Sequence, residues 1–190
     1  MSKQEDIRKI LMSDDVVQSI NNNIDILLEI IPEIKDMIGF SHNHPQHHLD
    51  VWNHTLLALS LSEPNFDIRL CLLLHDIGKP HSYQDDEIRH FKGHPLKSSI
   101  ISKNILNRLG YEEEYINEMC YLIRNHDNPI TKEDIESNYE INVKRFCIQY
   151  SDALAHHPDK LEKRIKYLKI VFEYIKQINN KIDKKIKFKI

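Results

Sequence analysis

The chain's 190 residues are 41% hydrophobic and 29% charged and carry a net charge of −3, the balance of one well-packed globular domain. No apolar run nears the roughly 18 residues that cross a bilayer, and the polar opening MSKQEDIRKI lacks the apolar stretch of a secretory leader. Three scattered cysteines (Cys71, Cys120, Cys147) read as reduced core thiols of a cytoplasmic protein, and four glycines are too few for a turn-rich β fold or a phosphate-cradling loop.

Apolar residues recur mostly at helical spacing. Residues 4–12 and 14–31 read as two helices, the second capped by Ser13 or Asp14. Pro32 opens a short helix that ends at Gly39, and SHNHPQHH (41–48) is a loop. Asp50 caps a helix over 51–62 that is apolar almost all round and therefore central. Glu63-Pro64-Asn65 breaks the chain, and a second buried helix covers about 66–76, stopping at Gly78-Lys79-Pro80. Residues 81–91 form a small β-hairpin or an ordered loop. Helices over about 95–109 and 112–126 follow, parted by Gly110. Thr131 caps a short helix to Ser137, and another helix runs over about 142–156. The last, 159–182, carries the stripe Leu161, Ile165, Leu168, Phe172, Ile175, Ile178 and Ile182, which predicts docking on the body. The chain reads as all-α, a compact helical bundle in a single domain over 1–190.

Charge and histidine are unevenly spread. Residues 158–190 hold eleven Lys or Arg against four Asp or Glu, about +7, which leaves the body near −10. An acidic body disfavours a large nucleic-acid surface there; the basic tail reads either as an RNA contact or as a solvated helix face. Five of the twelve histidines fall between residues 42 and 54.

A short link makes helices 51–62 and 66–76 an antiparallel hairpin. His54 in the first turn of one then meets His75 and Asp76 at the end of the other. The next pair repeats the device, with His94 at the start of 95–109 and His126 at the end of 112–126. Asp152, inside an apolar stretch, needs a partner of its own, because a buried lone carboxylate costs several kcal/mol. A single histidine at a helix end is more often a cap or a solvated residue than a ligand. Six N and O ligands at converging ends point instead to a divalent transition metal: Fe, Mn, Co, Ni or Zn, with Mg possible in principle. A site without thiolates is usually an open one, suited to activating water rather than to bracing a fold. His42, His44, His81 and His90 read as exposed loop residues. His47 and His48, just before the helix of His54, stand between loop and site, and His156 lies one turn beyond Asp152.

At these residues the sequence resembles the HD superfamily of metal-dependent phosphohydrolases: His54 … His75-Asp76 … Asp152, with HDIGKP at 75–80. The segments HHLDVWNHTLLAL, LLLHDIGKP, RHFKGHPLKSS, IRNHD and SDALAHHP look like the HD domain attached to bacterial CCA-adding tRNA nucleotidyltransferases. The likeness spans about 47–158, leaving N-terminal helices (1–40) and a basic C-terminal helix (159–190) outside it. It implies a metal held by His54, His75, Asp76 and Asp152, with His94 and His126 serving a second metal or the phosphate. In dinuclear members the aspartate of the His-Asp pair bridges the two ions. It also implies that Lys79 contacts phosphate or acts as an acid. The nucleotide-adding head of those enzymes, a Gly-Ser turn followed by paired aspartates, has no counterpart here, so the chain reads as a free-standing HD protein.

The function expected is hydrolysis of a phosphate ester of a nucleotide or RNA end, with no membrane partner. Asp76 and Lys79 carry the catalysis, and Lys79, Lys97, Arg124, His48 and His156 are candidates for substrate contact, Lys97 also reading as an ordinary solvated lysine. The rival expectations are a non-catalytic module that binds a nucleotide or RNA, and a structural metal domain; the second would favour a closed, cysteine-rich site.

Overall fold

The computed structural model describes residues 2–42, 49–83 and 90–180. Ten α-helices and two short 3-10 turns form among them, with no strand among the described residues; Ser41 and Asp50 make an isolated antiparallel bridge. The hairpin expected near 81–91 falls mostly on residues 84–89, outside the described residues, while its start belongs to the 3-10 turn Lys79–His81.

Helix α1 (Lys3–Leu11) starts at a reciprocal box in which Ser2 and Glu5 each accept the other's backbone N–H. The single helix expected over 14–31 is two, α2 (Val16–Asn22), capped by Asp15, and α3 (Ile24–Ile30). The break falls at Asn23, whose side chain donates to the Ser19 carbonyl at 2.8 Å while its own N–H tightens onto Ile20. Asparagine competes with the helix ladder for such bonds, and three stand in a row here.

Helices α4 (Val51–Ser60) and α5 (Phe66–Leu74) form the expected hairpin, capped by Asp50 and Asn65. α5 is central: Leu70 to Leu74 are fully buried. Its Arg69 is buried as well, donating to the carbonyls of Leu11 and Ser13 at 2.6 and 2.9 Å and so closing the end of α1.

Between α6 (His94–Arg108) and α7 (Glu113–Arg124), Gly110 adopts φ +76. The N–H groups of Gly110 and Tyr111 return to the carbonyls of Asn107 and Leu106, closing α6 in the paired pattern that a left-handed glycine permits. Helix α8 (Lys132–Ser137) opens on a Thr131–Asp134 box, and α9 (Tyr139–Leu154) starts three residues earlier than expected because Asn138 caps it. Helix α10 (Pro158–Asn179) docks as its stripe predicts. Leu168, Val171, Ile175 and Ile178 bury against Phe146, Val143 and Ile135, each worth about 1.5–3 kcal/mol. Ile182 lies outside the described residues.

Candidate metal centre

Five helix ends meet at one point. His54 sits in the first turn of α4, and His75 and Asp76 in the turn that continues α5. His94 opens α6, His126 follows α7, and Asp152 lies in the last turn of α9. All six are buried. His54 Nε2 stands 2.8 Å from Asp152 Oδ1, and His75 Nε2 is 3.2 Å from Asp76 Oδ2 and 3.6 Å from Asp152 Oδ1. On the other side, His94 Nε2 is 3.2 Å from Asp76 Oδ1 and 3.3 Å from His126 Nε2. Asp76 thus turns one oxygen to each of two adjoining groups.

The main chain orients the rings. Nδ1 of His75, His94 and His126 lies 2.7, 2.9 and 2.7 Å from the carbonyls of Leu72, Phe91 and Ile123, and Nδ1 of His54 lies 3.2 Å from that of Ala155. A carbonyl only accepts, so in the three rings with the shorter contacts Nδ1 carries the hydrogen and Nε2 presents a lone pair inward, the arrangement of metal-binding imidazoles, while His54 Nε2 is also within hydrogen-bond distance of Asp152 Oδ1 at 2.8 Å. Lone pairs then face carboxylate oxygens and, between His94 and His126, each other. His75 Nε2 and Asp76 Oδ1 are buried without a hydrogen-bond partner among the described residues, and Asp76 Oδ2 faces the Lys79 ammonium at 2.6 Å. Such a cluster suits a cation at its centre. Three triads, His54/His75/Asp152, His75/Asp76/His126 and His94/His126/Asp127, each keep their ligand atoms within 4.8 Å of one another, a spread that fits a divalent ion.

A proton on His75 Nε2 can take the place of that cation. Burial alone would depress His75, but the Asp76 and Asp152 carboxylates push it up to about 10. Burial would raise Asp76, yet His75 and Lys79 hold its carboxyl well below the usual range. Asp152, equally buried, is held down by His156, His54, His75 and Arg164.

Gly78 sets the distance between the two halves. Its φ of −84 is ordinary, so a left-handed conformation is not why a glycine stands where the sequence stops α5. A Cβ on it would lie 2.4 Å from the Ser98 backbone nitrogen and 2.8 Å from the His94 carbonyl. Only glycine lets the 76–79 turn rest on the first turn of α6, where Gly78 N–H donates to Ser98 Oγ at 2.9 Å.

Three residues at the centre escaped the sequence reading. Asp127 Oδ2 lies 3.4 Å from His94 and 3.5 Å from His126; the repeated His-Asp pair at 126–127 was the available signal. Arg164 of α10 reaches Asp152 and Asp127, and its place within the stripe between Leu161 and Leu168 was the clue. His42, expected as an exposed loop residue, is 1% exposed: its Nδ1 donates to Leu49 O, and its Nε2 accepts from Lys79 Nζ at 3.1 Å. The Phe91 and His54 rings pack on it, which removes it from water. Burial and the Lys79 charge depress it to about 3, so it stays neutral.

Lys79 is buried, with Nζ 2.6 Å from Asp76 Oδ2. His156 packs edge-on to His54, ring centroids 5.0 Å apart, with Arg164 Nη1 at 3.0 Å. Lys97 and Arg124 are exposed, and no hydrogen bond or ion pair joins either to the cluster. His81 and His90 are exposed as expected; His44, His47 and His48 lie outside the described residues.

An all-α domain whose helix ends converge on buried imidazoles and carboxylates is a helical domain with a histidine–aspartate metal-type centre. The chain belongs to the HD domain family, whose model it matches over residues 46–173. The match runs past the 158 expected from sequence and takes in Arg164. Three curated relatives are similar to the chain. A CC-adding tRNA nucleotidyltransferase of Thermus thermophilus is 27% identical over 80% of this chain and 36% of its own length. An A-adding tRNA nucleotidyltransferase of Deinococcus radiodurans is 26% identical over 75% of this chain and 35% of its own. A multifunctional CCA protein of Shewanella frigidimarina is 28% identical over 54% of this chain and 25% of its own. The chain thus spans about a third or less of the length of these relatives, and its HD domain is related to those of CCA enzymes. Among the described residues no helix is long and apolar enough to cross a membrane.

Proposed function

We propose that the chain is a metal-dependent phosphohydrolase acting on a phosphate ester of a nucleotide or RNA end. The facing lone pairs of His94 and His126, 3.3 Å apart with both Nδ1 atoms already donated to carbonyls, carry the reading. His54, His75, Asp76 and Asp152 would hold one divalent ion, and Asp76, His94, His126 and Asp127 a second. Bound there, such ions supply Lewis acidity toward phosphoryl oxygens and lower the pKa of water.

The chain's own groups do the rest. Asp76 accepts a hydrogen of the attacking water and aims its lone pair at phosphorus. Lys79 Nζ, oriented by Asp76 Oδ2 and His42 Nε2, pairs with the oxygen on which negative charge develops. The apolar shell of α5 excludes water from beneath the cluster, which strengthens each of these interactions. Lys97 and Arg124, exposed on the helices of His94 and His126, are available to the rest of a longer substrate. His156, beside His54, and His48, in the segment before α4, complete the proposed contacts. A nucleotide or RNA substrate is supported by the tRNA named for the relatives. Residues 1–190 act in this reading as one unit, with Arg69 tying α1 to α5 and α10 supplying Arg164. The three free cysteines suit a cytoplasmic setting.

The relatives are named as nucleotidyltransferases, which favours a second reading, a non-catalytic HD module that binds nucleotide or RNA. Metal analysis and hydrolysis of a bis-aryl phosphate, an aryl phosphomonoester, 2′,3′-cyclic nucleotides and ordinary nucleotides with Mn, Co, Ni, Mg or Zn separate the two. The hydrolase reading requires metal-dependent turnover that Asp76→Ala abolishes. Turnover that survives Asp76→Ala, or protein that retains no metal after reconstitution, refutes it.

A further inference from the structure

We infer that Arg164, on the basic C-terminal helix, is a positioning residue that sets the two outer carboxylates of the metal centre and thereby governs occupancy of its second position. This rests on the cluster being a metal centre, as proposed above. The guanidinium is shared between two carboxylates from different elements: Nη1 donates to Asp152 Oδ2 at 2.9 Å, and Nη2 to Asp127 Oδ1 at 3.1 Å. In each aspartate the other oxygen is the one facing the imidazoles. Asp152 Oδ1 turns to His54 and His75, and Asp127 Oδ2 turns to His94 and His126. A carboxylate rotates readily about its last torsion; one oxygen held by Arg164 fixes the direction of the other. The planar fork of arginine aims two donors at two acceptors in fixed directions, whereas lysine offers one nitrogen with freely turning donors on a shorter stem.

The two aspartates depend on this hold unequally. The Asp152 side chain is 4% exposed and is also fixed by His54, so it keeps its place without Arg164. Asp127 is 37% exposed at the end of α7, and its outer oxygen is held by Arg164. Loss of the fork frees Asp127 to swing into water, taking one ligand from the group that contains His94 and His126.

Charge alone predicts the opposite result. A guanidinium beside the centre repels a divalent ion, so a residue that only neutralises the carboxylates would strengthen metal binding when removed. Positioning predicts weakening, and the sign decides between them.

Equilibrium dialysis against Mn or Zn, with bound metal counted by mass spectrometry, reads both positions without reference to activity. In Arg164→Met and Arg164→Lys the weaker position should lose affinity by about 10–100-fold, the usual effect of removing a group that orients a ligand. The tighter position should stay within about threefold, and circular dichroism should show unchanged helicity. Arg164→Lys serves as the gentler variant if Arg164→Met folds poorly, and it keeps the charge while losing the fork. Unchanged or tighter binding in both variants, or full recovery in Arg164→Lys, overturns the role of Arg164 while leaving the metal centre standing. Wild-type protein that binds no metal overturns the centre and this inference with it.

Discussion

Gly78→Ala is a one-carbon test of how the centre is assembled. A Cβ at this position meets the Ser98 nitrogen at 2.4 Å, where ordinary contact begins near 3.4 Å, so the 76–79 turn and α6 must part by about 1 Å. Neither partner is a flexible side-chain end; both nearest atoms are backbone. Overpacking of this kind costs about 1–3 kcal/mol. In a chain of this size that lowers the melting temperature by roughly 2–4 °C per kcal/mol. The functional effect should exceed the stability effect. Metal ligands tolerate about 0.2 Å of displacement, and Asp76 would be drawn off His94 and His126 by several times that. His54, His75 and Asp152 come from α4, α5 and α9 and do not cross the strained contact. Gly78→Ala should therefore bind one ion near wild-type affinity and a second at least tenfold more weakly, measured by dialysis and metal analysis alongside thermal melts. A variant that binds two ions normally, or melts at the wild-type temperature, would show that the close approach does not set the spacing.

Other outcomes follow from particular contacts. Arg69→Met leaves the carbonyls of Leu11 and Ser13 without their donor and should cost about 2–4 kcal/mol in urea unfolding; a loss under about 1 kcal/mol would mean water replaces the guanidinium. His42→Phe removes the acceptor that orients Lys79 and should lower kcat roughly 10²-fold with bound metal unchanged. Equal kcat would dismiss His42 from the site. Burial pushes the Cys147 thiol up to about 12, so the folded protein at pH 8 should alkylate there roughly a thousandfold more slowly than free cysteine. Rapid labelling without denaturant would contradict that burial.

What the sequence disclosed depended on chain distance. His54, His75 and Asp76 could be placed together because three residues between two helices leave one way to fold them. His94 and His126 yielded to the same reasoning across Gly110. Asp152 was recognised by a carboxylate in an apolar stretch, which signals a partner without saying which. Arg164 offered a weaker signal, its place on the stripe between Leu161 and Leu168: in a helix rich in lysine, an arginine reads as solvated until α10 is seen to lie against α9. His42 was misread because a loop histidine is usually exposed, and its burial depends on Phe91, far along the chain. The break at Asn23 was within reach, since a run of asparagines opposes the apolar period around it. The role of Gly78 was not, because a missing Cβ matters only once the atoms of Ser98 stand beside it.

The carbonyls that hold the imidazoles have a consequence for what this chain can become. Ring orientation at His75, His94 and His126 is fixed by Leu72, Phe91 and Ile123 through their main-chain oxygens, whatever side chains those positions carry. The direction of each ring is therefore insulated from the side-chain identity of its anchor, although the spacing of the helices, set at Gly78, is not. Next to the centre lies a cavity of about 210 Å³ whose wall includes Pro129, Gln149, Tyr167 and Leu168, none of which anchors a ring. Pro129 is the exposed one of these four, so variation there should change what the cavity admits while the anchoring carbonyls stay in place, and selectivity can shift apart from reactivity.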